Sequence, residues 1–310
     1  MSLILTEKYI KKNGSYKLFI TNRFLRIYPL YWVILILAFS FSLYKFLHFP
    51  TQDNYIKTLL EFLSHSPNFG FEITMTIWRN ISLIFTTDYF RHNFIDPGYL
   101  LILPAWTLQV ELLFYLLAPF IVKAKLKLII ILTLIFSIIT FCFPALVSPK
   151  DSSITTIFIT RFVYFLFGIL SYRLYSVIKK KNLLQKIPAV SKAALPIFII
   201  ILFNYFIPII NDSSLKQTIT FFYYFILLGC IALLFLNSKN NKFDRALGEL
   251  SYPVYLSHQL VFKILNTGPL AGKNHELITL SCLAATLFFS YLLVKFIETP
   301  IDKIRQKMLH

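Results

Sequence analysis

An all-α, polytopic integral-membrane helix bundle is the fold this sequence predicts, and three observations predict it. Hydrophobic residues make up 57% of the 310 residues and charged residues only 15%, at a mean hydropathy of +0.67, whereas a soluble domain is nearer a quarter charged. The apolar residues gather into runs of about twenty, the length a helix needs to cross the hydrocarbon slab. Lysine and arginine also alternate between dense and sparse along the segments that join those runs.

Eight runs qualify, over 28–47, 98–122, 127–147, 154–175, 193–210, 217–237, 250–268 and 277–297. With residue 1 in the cytoplasm, the inside segments hold 21 of the 31 Lys and Arg residues and the outside segments six. This bias orients the chain with both termini cytoplasmic. It also accounts for the net charge of +17 as a membrane-topology signal, so no nucleic-acid partner is needed to explain it. The partner the composition names is the lipid bilayer, the plasma or inner membrane of the cell, and the chain reads as one membrane domain over 1–310.

The 48–97 segment is the one long external loop. Its Ile77-Trp78-Arg79-Asn80-Ile81 stretch predicts an amphipathic helix lying on the surface, either a lid or acceptor platform or a plain connector. Cys142, Cys230 and Cys282 lie inside predicted spans without paired spacing, so they read as small packing residues and not as a metal site or disulfide framework.

Function is sought among the polar groups within the spans, because an ionisable group costs a few kcal/mol at the bilayer centre. Arg23 and Arg26 stand three apart, on one helix face, where the first apolar run begins, followed by Pro29, Tyr31 and Trp32. Guanidinium forks suit phosphate, and interfacial anchoring explains the same residues. Around Trp106, positions Thr107, Glu111 and Tyr115 repeat every four residues and form one polar stripe. Glu111 is either a working carboxylate or the structural partner of Arg161.

Arg161 heads a stripe with Tyr164, Gly168 and Tyr172, and binding of an anionic or sugar ligand there stands level with pairing to Glu111. Ser251, Tyr252, Tyr255 and His258 open the seventh run. Residues 251, 255 and 258 fall on one face, and an imidazole there serves as acid, base or packing group. Lys295 and Glu298 read as a snorkelling pair, with Pro300 ending the last helix.

Four short motifs occur in order: Arg23-x-x-Arg26-Ile-x-Pro29-x-Tyr31, Trp106-Thr-Leu-x-Val-Glu111-x-x-Phe114-Tyr115, Leu250-Ser251-Tyr252-x-x-Tyr255-Leu256-x-His258 and Glu298-x-Pro300. Together they resemble the integral-membrane acyltransferase 3 family. The resemblance implies an O-acyltransferase that takes an acyl group, usually acetyl, from acyl-CoA as donor substrate, with no bound cofactor. The acceptor it implies is a hydroxyl of a cell-surface glycan or lipid-linked saccharide.

Carried over residue by residue, Arg23 and Arg26 match the paired arginines that hold acyl-CoA phosphates. Trp106, Glu111 and Tyr115 match the second motif, and Ser251, Tyr252, Tyr255 and His258 the third. Glu111 and His258 are the catalytic candidates; Tyr31, Thr107 and Arg161 join the cavity or acceptor set.

Members of this family carry two further amino-terminal spans with an arginine and a histidine. Met1–Lys8 looks like the tail of the second of these, so the chain is expected to be either a truncated form or the product of a mistaken gene start and, alone, weak or inactive. Two other classes compete with this reading: a lipid-linked saccharide flippase or polymerase, and a non-catalytic acyltransferase-like protein.

Overall fold

The computed structural model describes residues 16–49, 54–65, 68–84, 100–146, 154–181, 189–238, 241–268 and 272–308. Among these residues every regular element is helical. In chain order the helices are α1 (Tyr16–His48), α2 (Tyr55–His65), α3 (Phe69–Ser82), a 3₁₀ turn (Leu103–Ala105), α4 (Trp106–Val122), α5 (Leu126–Leu146), α6 (Ile154–Lys180), α7 (Ala189–Phe206), a 3₁₀ turn (Ile207–Ile209), α8 (Ser213–Ser238), α9 (Lys242–Thr267), α10 (His275–Leu293), a π turn (Val294–Glu298) and α11 (Thr299–Lys307).

Each of the eight predicted apolar runs coincides with a helix. Among the described residues, five stretches are long and apolar enough to cross a membrane: Tyr16–His48, Leu103–Val122, Phe158–Lys180, Ser213–Leu236 and His275–Lys307. Leu126–Cys142 and Ala194–Ile209 are shorter apolar helices. Helix α9 is amphipathic, because its Ser, Tyr, His and Gln residues lower its hydropathy. The chain is a multi-pass, all-helical membrane protein, and the segment Met1–Lys8 lies outside the described residues.

The helices sort into two compact units, one within Phe114–Arg245 and the other formed by Ser15–Leu113 with Ala246–His310. In the first, here the central unit, α6 packs against α5 and α8, and α8 against α7. Aromatic rings fill the contacts: Phe114 stacks on Phe165 at 4.1 Å, and Phe203 on Tyr223 at 3.5 Å. The Ser171 hydroxyl donates to the Leu228 carbonyl at 2.9 Å, tying α6 to α8. Arg173 donates to the carbonyls of Val122 and Ala124, a cation on the unpaired carbonyls at the end of α4, where the helix dipole favours it.

The second unit holds all four sequence motifs, apart from the last residues of the Trp106 motif, and is here the motif unit. On α1 the buried residues Ile27, Leu30, Tyr31, Ile34 and Ala38 recur at helical spacing and form one packed stripe. On α9 the buried set is Pro253, Leu256, Ser257, Leu260 and Val261. Ser257 approaches Ser290 of α10 to 3.4 Å between hydroxyls, a pair of small residues that lets two helices come close without hydrocarbon between them.

Pro300 does not end the last helix as expected. It is the second residue of α11, directly after a π turn whose last N–H, that of Thr299, bonds to the Val294 carbonyl. The backbone upstream widens into the π turn Val294–Glu298. There the Thr299 hydroxyl donates to the Val294 carbonyl at 2.9 Å. The helix therefore continues, and it carries Arg305 on beyond Pro300.

Candidate functional site

The 54–84 segment supplies the buried polar node of the motif unit. The expected helix through Ile77–Ile81 is present as part of α3, with Ile77, Trp78 and Ile81 exposed on one side and Thr76 and Asn80 buried on the other. Asn80 makes bonds in several directions. Its backbone carbonyl accepts from the Tyr31 hydroxyl, its Oδ1 accepts from the Leu101 N–H at 2.9 Å, and its Nδ2 donates to the Thr76 carbonyl at 2.9 Å. Neighbouring carbonyls of the same turn are also used: Ser82 O accepts from Tyr28 and Ile81 O from Trp32.

Three aromatic residues of the first motif region thus fasten α1 to the end of α3. Burial pushes the Tyr55 phenol up to about 12, against a lowering contribution from its hydrogen bond with Asn80. The phenol stays protonated and able to donate at neutral pH.

The second and third motifs meet at three oxygens. Tyr255 Oη lies 2.7 Å from Thr107 Oγ1 and 2.9 Å from the Pro104 carbonyl, which Thr107 Oγ1 also approaches at 3.1 Å. The Glu111 carboxylate, half-buried one turn further along α4, acts electrostatically on the same Tyr255 hydroxyl. One turn back on α9, Tyr252 donates to the Ile27 carbonyl of α1 at 2.8 Å. Tyr252 and Tyr255 therefore join the third motif to the first and to the second.

His258 sits half-buried on the turn after Tyr255, its ring centroid 6.3 Å from the tyrosine ring. Its Nδ1 lies 2.8 Å from the Tyr255 carbonyl and 3.2 Å from the Val254 carbonyl. Carbonyl oxygens only accept, so Nδ1 carries the proton, and in the neutral ring the lone pair resides on Nε2. Ser251, by contrast, is exposed and donates to the Gly248 carbonyl of its own helix at 2.7 Å.

The paired arginines take different environments although they share a face. Arg23 is half-buried on the packed stripe of α1, its guanidinium 5.3 Å from the centroid of the Phe19 ring. Arg26 is exposed and within electrostatic reach of Glu298 and Arg305. Arg305 in turn donates from Nε to Asn22 Oδ1 at 2.7 Å and pairs with Asp302.

The first and fourth motifs thus come together in one charged cluster: Arg26, Glu298, Arg305 and Asp302, with Glu249 acting on Glu298. Sequence reasoning paired Glu298 with Lys295, whose ammonium lies over the Phe296 ring. It missed Arg305 and Asn80, neither of which carries a periodicity or motif signal.

Tyr115 and Arg161 belong to the central unit. Tyr115 is fully buried beside Phe114, while Arg161 is exposed and reaches the Tyr164 hydroxyl. Tyr31 is fully buried, with its hydroxyl committed to Asn80. Among the described residues no group of three or more His, Cys, Asp or Glu side chains gathers to hold a metal ion.

Long apolar helices that carry two polar clusters, Arg26 with Glu298 and Arg305, and Tyr255 with Thr107 and Glu111, define a multi-pass membrane protein. The family model of an acyltransferase domain matches residues 2–295, and the chain belongs to this acyltransferase 3 family. No curated protein and no solved structure gives a significant match.

Proposed function

We propose that this protein is a membrane O-acyltransferase that moves an acyl group, acetyl by preference, from acyl-CoA to a hydroxyl of a cell-surface or lipid-linked saccharide. The reading includes eight spans, with both termini on the cytoplasmic side of the inner membrane, and one acyltransferase-like domain. The observation that carries it is the pair of tyrosine bonds, Tyr252 to Ile27 and Tyr255 to Thr107, which gathers three separated motifs of an acyltransferase family into one unit.

The chemistry follows from the groups present. The acceptor oxygen attacks the thioester carbonyl carbon, a C–O bond forms and the C–S bond breaks. The hydroxyl proton passes to a base, and CoA leaves as the thiolate to be protonated. His258 presents Nε2 as that base in its neutral tautomer, which is fixed by the carbonyls on Nδ1. Glu111 supplies negative charge near Tyr255, and the Tyr255–Thr107 pair, whose two protons are committed to Pro104 and to each other, offers oxygen lone pairs to an acceptor hydroxyl. The exposed Arg26 offers a guanidinium fork for a CoA phosphate, with charge-assisted bonds of the stronger kind.

Incubation of membranes with labelled acetyl-CoA tests the proposal. Label incorporated into glycan, and lost on Arg26→Ala and on Glu111→Gln, is the expected result. Glycan translocation or chain growth without acyl incorporation would overturn it in favour of a flippase or polymerase. Absence of label with the protein present would leave a non-catalytic family member.

A further inference from the structure

Arg305 lies beyond residue 295, where the match to the family model stops, and none of the four motifs includes it. The π turn lets the helix run past Pro300, and α11 then packs against α1. Arg305 meets α1 at Asn22, to whose Oδ1 its Nε donates at 2.7 Å.

That guanidinium is held along one side only. Nε is fixed by Asn22 and Nη1 by Asp302, whereas Nη2 makes no hydrogen bond among the described residues and is not buried; the side chain is 19% exposed. A guanidinium presents its donors in one rigid plane, so two anchors fix the direction of the open Nη2 edge. The long side chain is ordered before any ligand arrives, which favours binding.

Arg26 supplies a second fork beside it. Asn22 and Arg26 are four residues apart on α1 and share a face, which places the Asn22-bound guanidinium one helical turn from Arg26. Arg26 is exposed and makes no hydrogen bond among the described residues, and the two cations act on one another electrostatically. Like charges brought together from two helices favour an anion between them.

Carboxylates stand nearby and offset part of that repulsion. Asp302 is the anchor of Arg305, and Glu298, with Glu249 and Asp302 acting on it, lies within reach of both arginines. A carboxylate has two oxygens and is satisfied by one bidentate fork. A phosphate carries more charge and three acceptor oxygens, so it takes donors from both forks at once.

We infer that Arg305 is a further donor-binding residue of this protein, its Nη2 edge and the Arg26 fork closing on one phosphate group of CoA. The inference rests on the acyl-CoA reading for the identity of the ligand. Its own content is that α11 contributes directly to the phosphate site and is more than a brace on α1.

The test is equilibrium titration of the full chain, in zwitterionic-lipid nanodiscs, with CoA, which has no acyl group to transfer. Saturable binding is expected, weakened by roughly tenfold or more in Arg305→Gln, the loss of one charge-assisted contact. Asn22→Ala removes an anchor but keeps the cation, and should cost clearly less. Arg305→Lys keeps the charge without the fork, should fall between parent and Arg305→Gln, and serves in its place if Arg305→Gln does not fold.

Dephospho-CoA, which lacks the 3′-phosphate, tells the two phosphate sources apart. An Arg305→Gln loss confined to CoA marks the 3′-phosphate, and the same loss with both ligands marks the diphosphate; either supports the inference. CoA binding that is indifferent to the Arg305 variants, or that suffers as much from Asn22→Ala as from Arg305→Gln, overturns this inference alone. No saturable binding of CoA by the parent chain overturns it together with the acyl-CoA reading.

Discussion

Tyr255 Oη and Thr107 Oγ1 lie 2.7 Å apart, and both face the Pro104 carbonyl. Two hydroxyl protons serve three contacts, so the pair has two satisfied arrangements: Tyr255 donates to Pro104 while Thr107 donates to Tyr255, or Thr107 donates to Pro104 while Tyr255 donates to Thr107. Removing either hydroxyl leaves one proton to serve one contact. Tyr255→Phe and Thr107→Val are each expected to cost about 1 kcal/mol of stability, and the double variant clearly less than the sum because the bond is shared. Thermal unfolding in detergent measures all three, and strict additivity would contradict the shared bond.

Asn80 holds α3 to the unit through bonds in three directions. Asn80→Leu leaves the Leu101 N–H buried without its acceptor, a loss of about 1–3 kcal/mol. Asn80→Asp retains an acceptor at that position and should be the milder change. Exposed Trp78→Ala on the opposite side of α3 removes no packing contact of that kind and should leave the unfolding temperature nearly unchanged. Limited proteolysis within 54–84 checks the order, with Asn80→Leu cleaved fastest.

Asp212 caps α8: its Oδ1 accepts from the N–H groups of Ser214 at 2.8 Å and Leu215 at 3.1 Å, and from the Ser214 hydroxyl at 2.8 Å. These bonds, the Leu215 N–H foremost, hold its carboxyl below the usual carboxylate range. A group whose pKa is depressed by folding contributes stability that is present above its unfolded value, near 3.9, and is lost as pH falls through the folded value. Asp212→Ala should therefore melt below the parent at neutral pH, and the gap should close in strong acid. Asp212→Asn, which retains a capping oxygen, should fall between them and show a weaker dependence on pH.

The positions of the helices were legible because hydrocarbon thickness imposes a local requirement, about twenty apolar residues in a row. That requirement is met or missed within one segment. The same locality explains the errors: Pro300 reads as a stop from its own chemistry, yet the π turn before it lets the helix run on to Arg305.

Asn80 and Arg305 escaped notice for a related reason. The partners of Asn80 lie 21 and 49 residues away, and Asn22 is 283 residues from Arg305, so no window of sequence contains either relationship. The difference between Arg23 and Arg26 was equally hidden. Spacing puts both on one face, but only the packed stripe through Ile27 and Tyr31 decides which of them is partly covered.

His258→Gln probes the base. Glutamine retains an amide near the ring's position without a titrating nitrogen, so transfer should fall by roughly a hundred- to ten-thousand-fold in kcat, with KM for acetyl-CoA little changed. Label incorporation at saturating acetyl-CoA measures the first, and its concentration dependence the second. A rise in KM with kcat intact would instead make His258 a binding group.

Arg26 and Glu298 yield a prediction of opposite signs. The guanidinium of Arg26 is exposed and faces Glu298 across the meeting of the first and fourth motifs, so the carboxylate competes with an incoming phosphate for it. Arg26→Ala removes a charge-assisted contact and should raise KM for acetyl-CoA by roughly ten- to hundred-fold. Glu298 is half-buried, and Glu298→Gln removes the competitor and should lower KM. The Arg26→Ala effect should shrink as salt rises, because that guanidinium is near water and screened. If the two variants move KM in the same direction, the carboxylate is holding Arg26 in place and the competition is absent.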